Sequence, residues 1–452
     1  MLRSYDEHKE TSIPWTNRVP KSWLIQRGKS IFQNKKQLNT QKQCDNILSL
    51  TLKGVVNNSI DNPIGLVPKD YATYQIFEKD DLVFKLIDLE NYQTSRVGLV
   101  HELGIMSPAY IRIALRKKDD FNIKYFFYQY YDLYLRRVFN QIGAGVRSTL
   151  SAKELLNIEI LIPPREEQDQ IVRFLDWKLA KINKLIQAKK KQIALLNEQK
   201  QVIIHNAVTK GVDPNVMMKD SGIEWIGQIP QEWVVNRLKT QISLSTSKKN
   251  RDNEFYIGME NIQSWTGKYV STTEIDSEGI CNIFENNNIL FGKLRPYLAK
   301  VYLTENNGVC SSEFLVLKNF NGILRYMFYI LLSYKFIDLV NSSTYGAKMP
   351  RANWSFIGNC NIPIPSLEDQ NRIASYLDEK CYKIENLKGK IQNEIDLLYE
   401  YRTRLISDVV TGKVDVRDIE IPEYEGYSDE TINGEIDDNI VLEEEGGETE
   451  VE

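Results

Sequence analysis

The chain writes one pattern twice, and no other feature limits its fold so strongly. The stretch IPPREEQDQIVRFLDWKLAKI from Ile162 returns from Ile364 as IPSLEDQNRIASYLDEKCYKI, displaced by 202 positions without a gap for about fifty residues. Under this offset Pro163 meets Pro365, Gln168 meets Gln370, Asp176 meets Asp378 and Ile182 meets Ile384. Upstream, Trp15, Pro20, Trp23 and Arg27 fall on Trp225, Pro230, Trp233 and Arg237 at an offset of 210. The unit is a Trp-rich entry, a variable stretch, a Pro-rich exit and a helical segment. Two such units in one chain make a pseudo-dimer.

The helical segments carry the three–four apolar spacing of a coiled-coil seam. In the first copy Leu179, Ile182, Ile186, Ile193, Leu196, Ile203 and Ala207 hold it, and in the second Ile384, Ile391, Ile395, Leu398, Leu405 and Val409. Two copies in one chain pack most simply on each other. Lys200 and Arg402 share one seam position, and seam polarity of this kind sets pairing at a cost in stability.

Between these segments, short apolar runs such as EFYIGMENI and NNILFGKLRPYLAKVYL alternate with Asn, Asp and Gly turns, which predicts strands. Each variable stretch closes on an aromatic helical segment, Tyr125 to Phe139 and Tyr326 to Val340. The pattern predicts an α/β (α+β) chain with globular domains at 11–164 and 220–366. Long helical segments follow at 165–208 and 367–417, a linker at 209–219, and an acidic, disordered tail at 418–452.

Catalytic constellations are missing from the sequence. There is no phosphate loop, no second His after His101-Glu102 at zincin spacing, and no third glycine after Gly143-Ala144-Gly145. The Asn- or Asp-Pro-Pro-aromatic loop of an adenine methyltransferase is absent too. Three histidines and five scattered cysteines offer no zinc spacing and read as reduced thiols of a cytoplasmic protein. The apolar window from Ile323 to Leu332 is too short to span a membrane. These features point to a binding protein with no metal or cofactor of its own.

Charge suggests what is bound. Of 61 acidic residues, 14 lie between Ile419 and Glu452, where no Lys or Arg occurs, so the remainder carries a basic surplus suited to a polyanion. Candidate contacts to double-stranded DNA are Lys53, Lys85, Arg96 and Arg147 in the first variable stretch. In the second they are Lys248, Lys293, Arg295, Lys348 and Arg351. Lysine and arginine neutralise phosphates, and arginine can also hydrogen-bond both guanine acceptors in the major groove. Two arms that share a frame but differ inside suit a split, asymmetric site. A coiled-coil adaptor whose arms bind proteins is the rival reading.

From Trp15 to Arg417 the chain resembles the specificity subunit of type I restriction–modification enzymes. The likeness rests on the entries (Ile13-Pro14-Trp15 with Pro20-Lys21-Ser22-Trp23, and Trp225 to Trp233) and on the Pro-x-x-Glu-[Glu/Asp]-Gln-x-x-Ile exits. It rests also on Tyr256 to Ile262, on Phe291-Gly292-Lys293-Leu294-Arg295-Pro296-Tyr297, and on Val410 to Arg417. The resemblance implies two target-recognition domains separated by two long helices that form an antiparallel coiled coil. It implies docking of two methyltransferase subunits and two restriction–translocase subunits, with S-adenosylmethionine, ATP and magnesium used by those partners. Two departures stand out. Thr209-Lys210-Gly211-Val212 faces Thr411-Gly412-Lys413-Val414, which predicts unlike helix ends. The first domain lacks Lys-x-Arg-Pro-Tyr and has Phe84-Lys85-Leu86-Ile87 in its place.

Overall fold

A computed structural model describes residues 3–51, 54–59, 70–87, 89, 96–142, 149–251, 254–272, 279–346 and 348–422. The chain divides into two compact units, residues 1–190 with 393–452, and residues 191–392. Two long helices, Arg165–Lys210 and Leu367–Val410, each contribute residues to both units. Both start just after a proline-containing turn, with Glu166 and Glu167 or Glu368 and Asp369 in the first turn, where carboxylates complement the helix dipole.

In the second unit, a four-stranded sheet runs in the order Ser243–Leu244, Phe314–Lys318, Ile289–Gly292, Val301–Leu303. Its central strands are apolar on both faces because both faces are covered. Ile289, Phe291, Leu315 and Leu317 pack toward the helix Leu324–Leu332. Leu290, Phe314 and Val316 pack instead with Ile257, Phe284 and Cys310 of a second sheet. That sheet runs Lys248–Asn250, Ile280–Phe284, Gly308–Cys310, Tyr256–Ile257, with the last pair parallel.

The first unit repeats the principal sheet as Phe32–Asn34, Ile111–Leu115, Leu82–Lys85, Arg96–Leu99. Leu82 opposite Ile113 and Phe84 opposite Ile111 reproduce Ile289 opposite Leu317 and Phe291 opposite Leu315. Arg112, on the strand Ile111–Leu115, is wholly buried. Its Nε donates to Asp81 Oδ2 at 2.6 Å and its Nη1 to the Ile76 carbonyl at 2.5 Å.

The aromatic segments each form two helices rather than one, Ile123–Leu135 with Val138–Ile142, and Leu324–Leu332 with Tyr334–Ser342. The first breaks where Arg137 takes a left-handed backbone (φ 55°), and the second where extended Ser333 (ψ 137°) interrupts the turns. The same clasp holds both to the long helices. Tyr128 donates to Asp176 at 2.5 Å and Tyr329 to Asp378 at 2.6 Å. Beside them, Lys124 pairs with Asp176 and Arg325 with Asp378. Gln168 accepts from the Asn122 amide and Gln370 from the Ile323 amide, both at 2.9 Å. One turn of aromatic helix is thus fastened twice by the same chemistry.

Within each unit the long helices run antiparallel. In the first, Gln170 donates to the Val416 carbonyl at 3.0 Å and Lys189 pairs with Glu394 at 2.5 Å. In the second, Tyr326 donates to the Val208 and Pro363 carbonyls and Lys200 pairs with Glu385 at 2.8 Å. Higher numbers on one helix meet lower numbers on the other. Leu179, Ile182, Ile186, Ala207, Ile384, Ile391, Ile395, Leu405 and Val409 are buried, whereas Ile193, Leu196, Ile203 and Leu398 are half-buried. Beside Ile203, Ile204 is wholly buried, in the same core as Trp225 and Trp233.

The two helix ends differ as their sequences predict. Gly211 (φ 77°) stops the first helix, its amide donating to the Ala207 carbonyl. Gly412 (φ 71°) stops the second, one repeat position earlier, and the Lys413 amide returns to Asp408 at 2.8 Å. A side chain at Gly412 would collide with the Pro20 ring. Gly412→Ala therefore combines left-handed strain of about 1–2 kcal/mol with that clash. The expected result is a lower thermal midpoint, with Gly389→Ala, at an open helical position, showing no such loss.

Candidate nucleic-acid interface

Where the principal sheet of the second unit ends, two loops are stapled together. The strand Ile289–Gly292 runs out into Lys293-Leu294-Arg295, and a turn of 3-10 helix, Pro296–Leu298, follows. Arg295 (φ 48°) and Ala299 (φ 46°) bracket that turn in left-handed backbone, an arrangement that L residues keep only under outside constraint. The constraint is visible: the Arg295 amide donates to the Pro350 carbonyl at 2.7 Å, and the Ala352 amide to the Lys293 carbonyl at 2.9 Å. Tyr345 and Arg351 exchange backbone hydrogen bonds at 3.2 and 3.0 Å, closing the second loop on itself. The Arg351 guanidinium binds the Glu313 carboxylate at 3.1 Å, which raises its pKa further, and the Lys293 amide donates to the Glu313 carbonyl at 2.9 Å.

Lys293, Arg295, Lys348 and Arg351 are thereby gathered into one loop cluster. Their roles differ. Arg351 is committed to Glu313 and fastens the loops, whereas Lys293, Arg295 and Lys348 make no ion pair among the described residues. Lys248 stands apart on the second sheet, exposed and opposite Asn282, whose side chain donates to the Phe314 carbonyl at 2.8 Å. Tyr297, the last residue of the Lys-x-Arg-Pro-Tyr element, and two residues not singled out in the sequence, Tyr345 and Met349, complete the cluster, at 45%, 62% and 49% exposed. Met349 between Lys348 and Arg351 is the signal that could have drawn attention to them.

In the first unit Lys85 ends its strand opposite Arg96, the same strand end as in the second unit. The amide of Leu150 donates to the Leu86 carbonyl at 3.1 Å, as that of Ala352 does to Lys293. Leu86, buried, therefore occupies the place of Lys293, and Lys85 that of Gly292. Among the described residues of the first domain, no cation stands at the place of Lys293. Lys53 and Arg147 lie outside the described residues, as does the tail beyond Pro422. Among the described residues, no helix is long and apolar enough to cross a membrane.

Comparison with known proteins agrees with this duplicated frame. The family model of the type I restriction modification DNA specificity domain matches twice, at residues 25–195 and 232–397. The MjaVIII type I restriction enzyme specificity subunit of Methanocaldococcus jannaschii is 25% identical over 341 residues, 70% of this chain and 76% of that one. The putative MjaX specificity subunit of the same organism is 23% identical over 454 residues, covering 92% and 99%. A solved chain from a study of complex assembly and conformational transition in the type I R-M system superposes with a TM-score of 0.61. It is 13% identical, over 88% of this chain and 99% of that one, and shares the fold. With three quarters of its length matched in two tandem copies, the chain belongs to the type I restriction–modification DNA specificity family.

Proposed function

We propose that this chain is the non-catalytic subunit that reads DNA sequence for a type I restriction–modification complex. Each domain reads one half of a split site, and the paired helices fix the gap between the halves. Methyltransferase subunits, two per chain, dock on the repeated helices, and two restriction–translocase subunits join that core. S-adenosylmethionine, ATP and magnesium belong to those partners, and adenine N6 is the methylated atom. One observation carries the reading: the same strand end supports different loop chemistry in the two domains, cationic Lys293 in one and apolar Leu86 in the other. Equal frames with unequal loops read unequal sequences, because base edges are distinguished by the side chains that reach them.

Co-expression with a cognate methyltransferase subunit, followed by mapping of modified adenines, tests this. The expected result is a motif of two unlike halves with a fixed gap, lost when this chain is omitted. A stable complex that leaves DNA unmodified would favour a protein-binding adaptor instead.

A further inference from the structure

The loop Tyr345–Arg351 carries apolar groups that the fold does not use. Tyr345 and Met349 project at 62% and 49% exposure, although Phe336, Ile337 and Val340 of the helix just before them are buried. Around them stand Lys293, Arg295 and Lys348, none of them in an ion pair among the described residues. A mobile surface loop would make little of such groups. Here the two sides of the loop are held by the paired bonds between Tyr345 and Arg351, by Arg295 to Pro350, by Ala352 to Lys293, and by the Arg351–Glu313 bridge, with Ala347 outside the described residues. Exposed apolar side chains on a tethered loop beside three cations match what is needed to enter a DNA groove and part stacked bases. The cations draw in the phosphates, and the apolar tip replaces base–base contact with its own.

We propose that Tyr345 and Met349 form a wedge that inserts at a base step of the half-site read by the second domain, unstacking it. This rests on the specificity reading above and adds to it a local DNA deformation. Unstacking costs a few kcal/mol, least at flexible pyrimidine–purine steps. The wedge therefore also selects sequence at a step where no hydrogen bond is made.

The test uses the full chain in complex with its methyltransferase partner, on duplexes of the mapped site carrying 2-aminopurine at successive positions. Binding should brighten the probe severalfold at one step of a single half-site, apart from the methylated adenine. Tyr345→Ser combined with Met349→Ala should abolish that signal, while brightening at the methylated adenine survives and affinity stays within about tenfold. Met349→Leu, which keeps an apolar tip, should retain the signal. Lys348→Ala should weaken binding yet leave the step bright at saturation. The wedge is overturned if every other step stays dark, or if the double variant stays bright. A complex that binds all duplexes alike sinks the specificity reading itself, whereas kept site preference with no bright step sinks only the wedge.

Discussion

Exchanging residues 243–352 for the matching stretch of a relative with another target will change one half of the methylated site and leave the other half and the gap unaltered. The junctions follow from the loop staples. A cut at Lys348 would divide the loop that Tyr345 and Arg351 close, and would separate Arg351 from Glu313, so the donor segment must run through Ala352. The graft must also bring its own counterparts of Tyr326, Tyr329 and Arg325. Tyr326 donates to the Pro363 and Val208 carbonyls, and the other two grip Asp378, all on the retained frame. In this chain the first domain already meets the same demand with Tyr125, Tyr128 and Lys124. Each mismatched base pair costs about 1–3 kcal/mol, so a half-site changed at several positions loses the old target by about a thousandfold or more. Methylome mapping reads this directly. If both halves changed together, the two domains would not be independent readers.

What the sequence discloses of this fold is whatever repeats or keeps a local period. The offset of 202 predicts two equivalent helices, and the structure gives Arg165–Lys210 and Leu367–Val410. The seam spacing holds at Ile186 and Ile395, both nearly inaccessible, but leaves Ile193, Leu196 and Leu398 half-buried. It drifts where a helix also lies against a globular core: Ile204 is wholly buried and Ile203 only partly. A heptad describes two partners, and here a third surface competes for the side chain. The loop cluster is hidden for another reason. Lys293 and Arg295 meet Pro350 to Ala352 across more than fifty positions, and no local pattern encodes a pairing of that range. Arg112 carries no sequence signal of burial, yet a cation with Asp81 beside it sits in the core. The aromatic segments look continuous in sequence because the break at Ser333 is a backbone choice made without proline or glycine.

Glu385→Ala should destabilise the second unit more than Lys200→Met does, although the two residues form one ion pair. Lys200 sits at a seam position with its side chain 5% exposed, and its Nζ reaches Glu385 Oε1 at 2.8 Å and the Trp265 carbonyl at 3.1 Å. Glu385 also holds Lys388 at 3.2 Å. Removing the carboxylate strands one ammonium in a dry site and deprives a second, which costs about 3–5 kcal/mol. Removing Lys200 leaves Glu385 with Lys388, and a methionine fills the seam with apolar volume, so the loss is small. The pH dependence follows from the same geometry. Burial acts to raise the Glu385 carboxyl, but the hydrogen bond and charge of Lys200, with Lys388, outweigh it and hold the carboxyl below its ordinary value. The unfolded carboxyl titrates near about 4.3. The pair's contribution is thus complete above that pH and is lost as pH falls through the lower folded value. Denaturation midpoints of the two variants and the parent at pH 7 and pH 3 separate the cases. A Lys200→Met loss equal to that of Glu385→Ala would mean the pair acts only as a pair. The repeat makes the position more than a local contact. Its repeat mates are Arg402 and Asn183, both buried, so the two units place different polar residues at equivalent seam positions. Lys200 and Glu385 belong to opposite helices, so sliding or reversing one helix would part them and bury the ammonium without its carboxylate. A charge that costs stability in isolation therefore favours the one alignment in which it is satisfied.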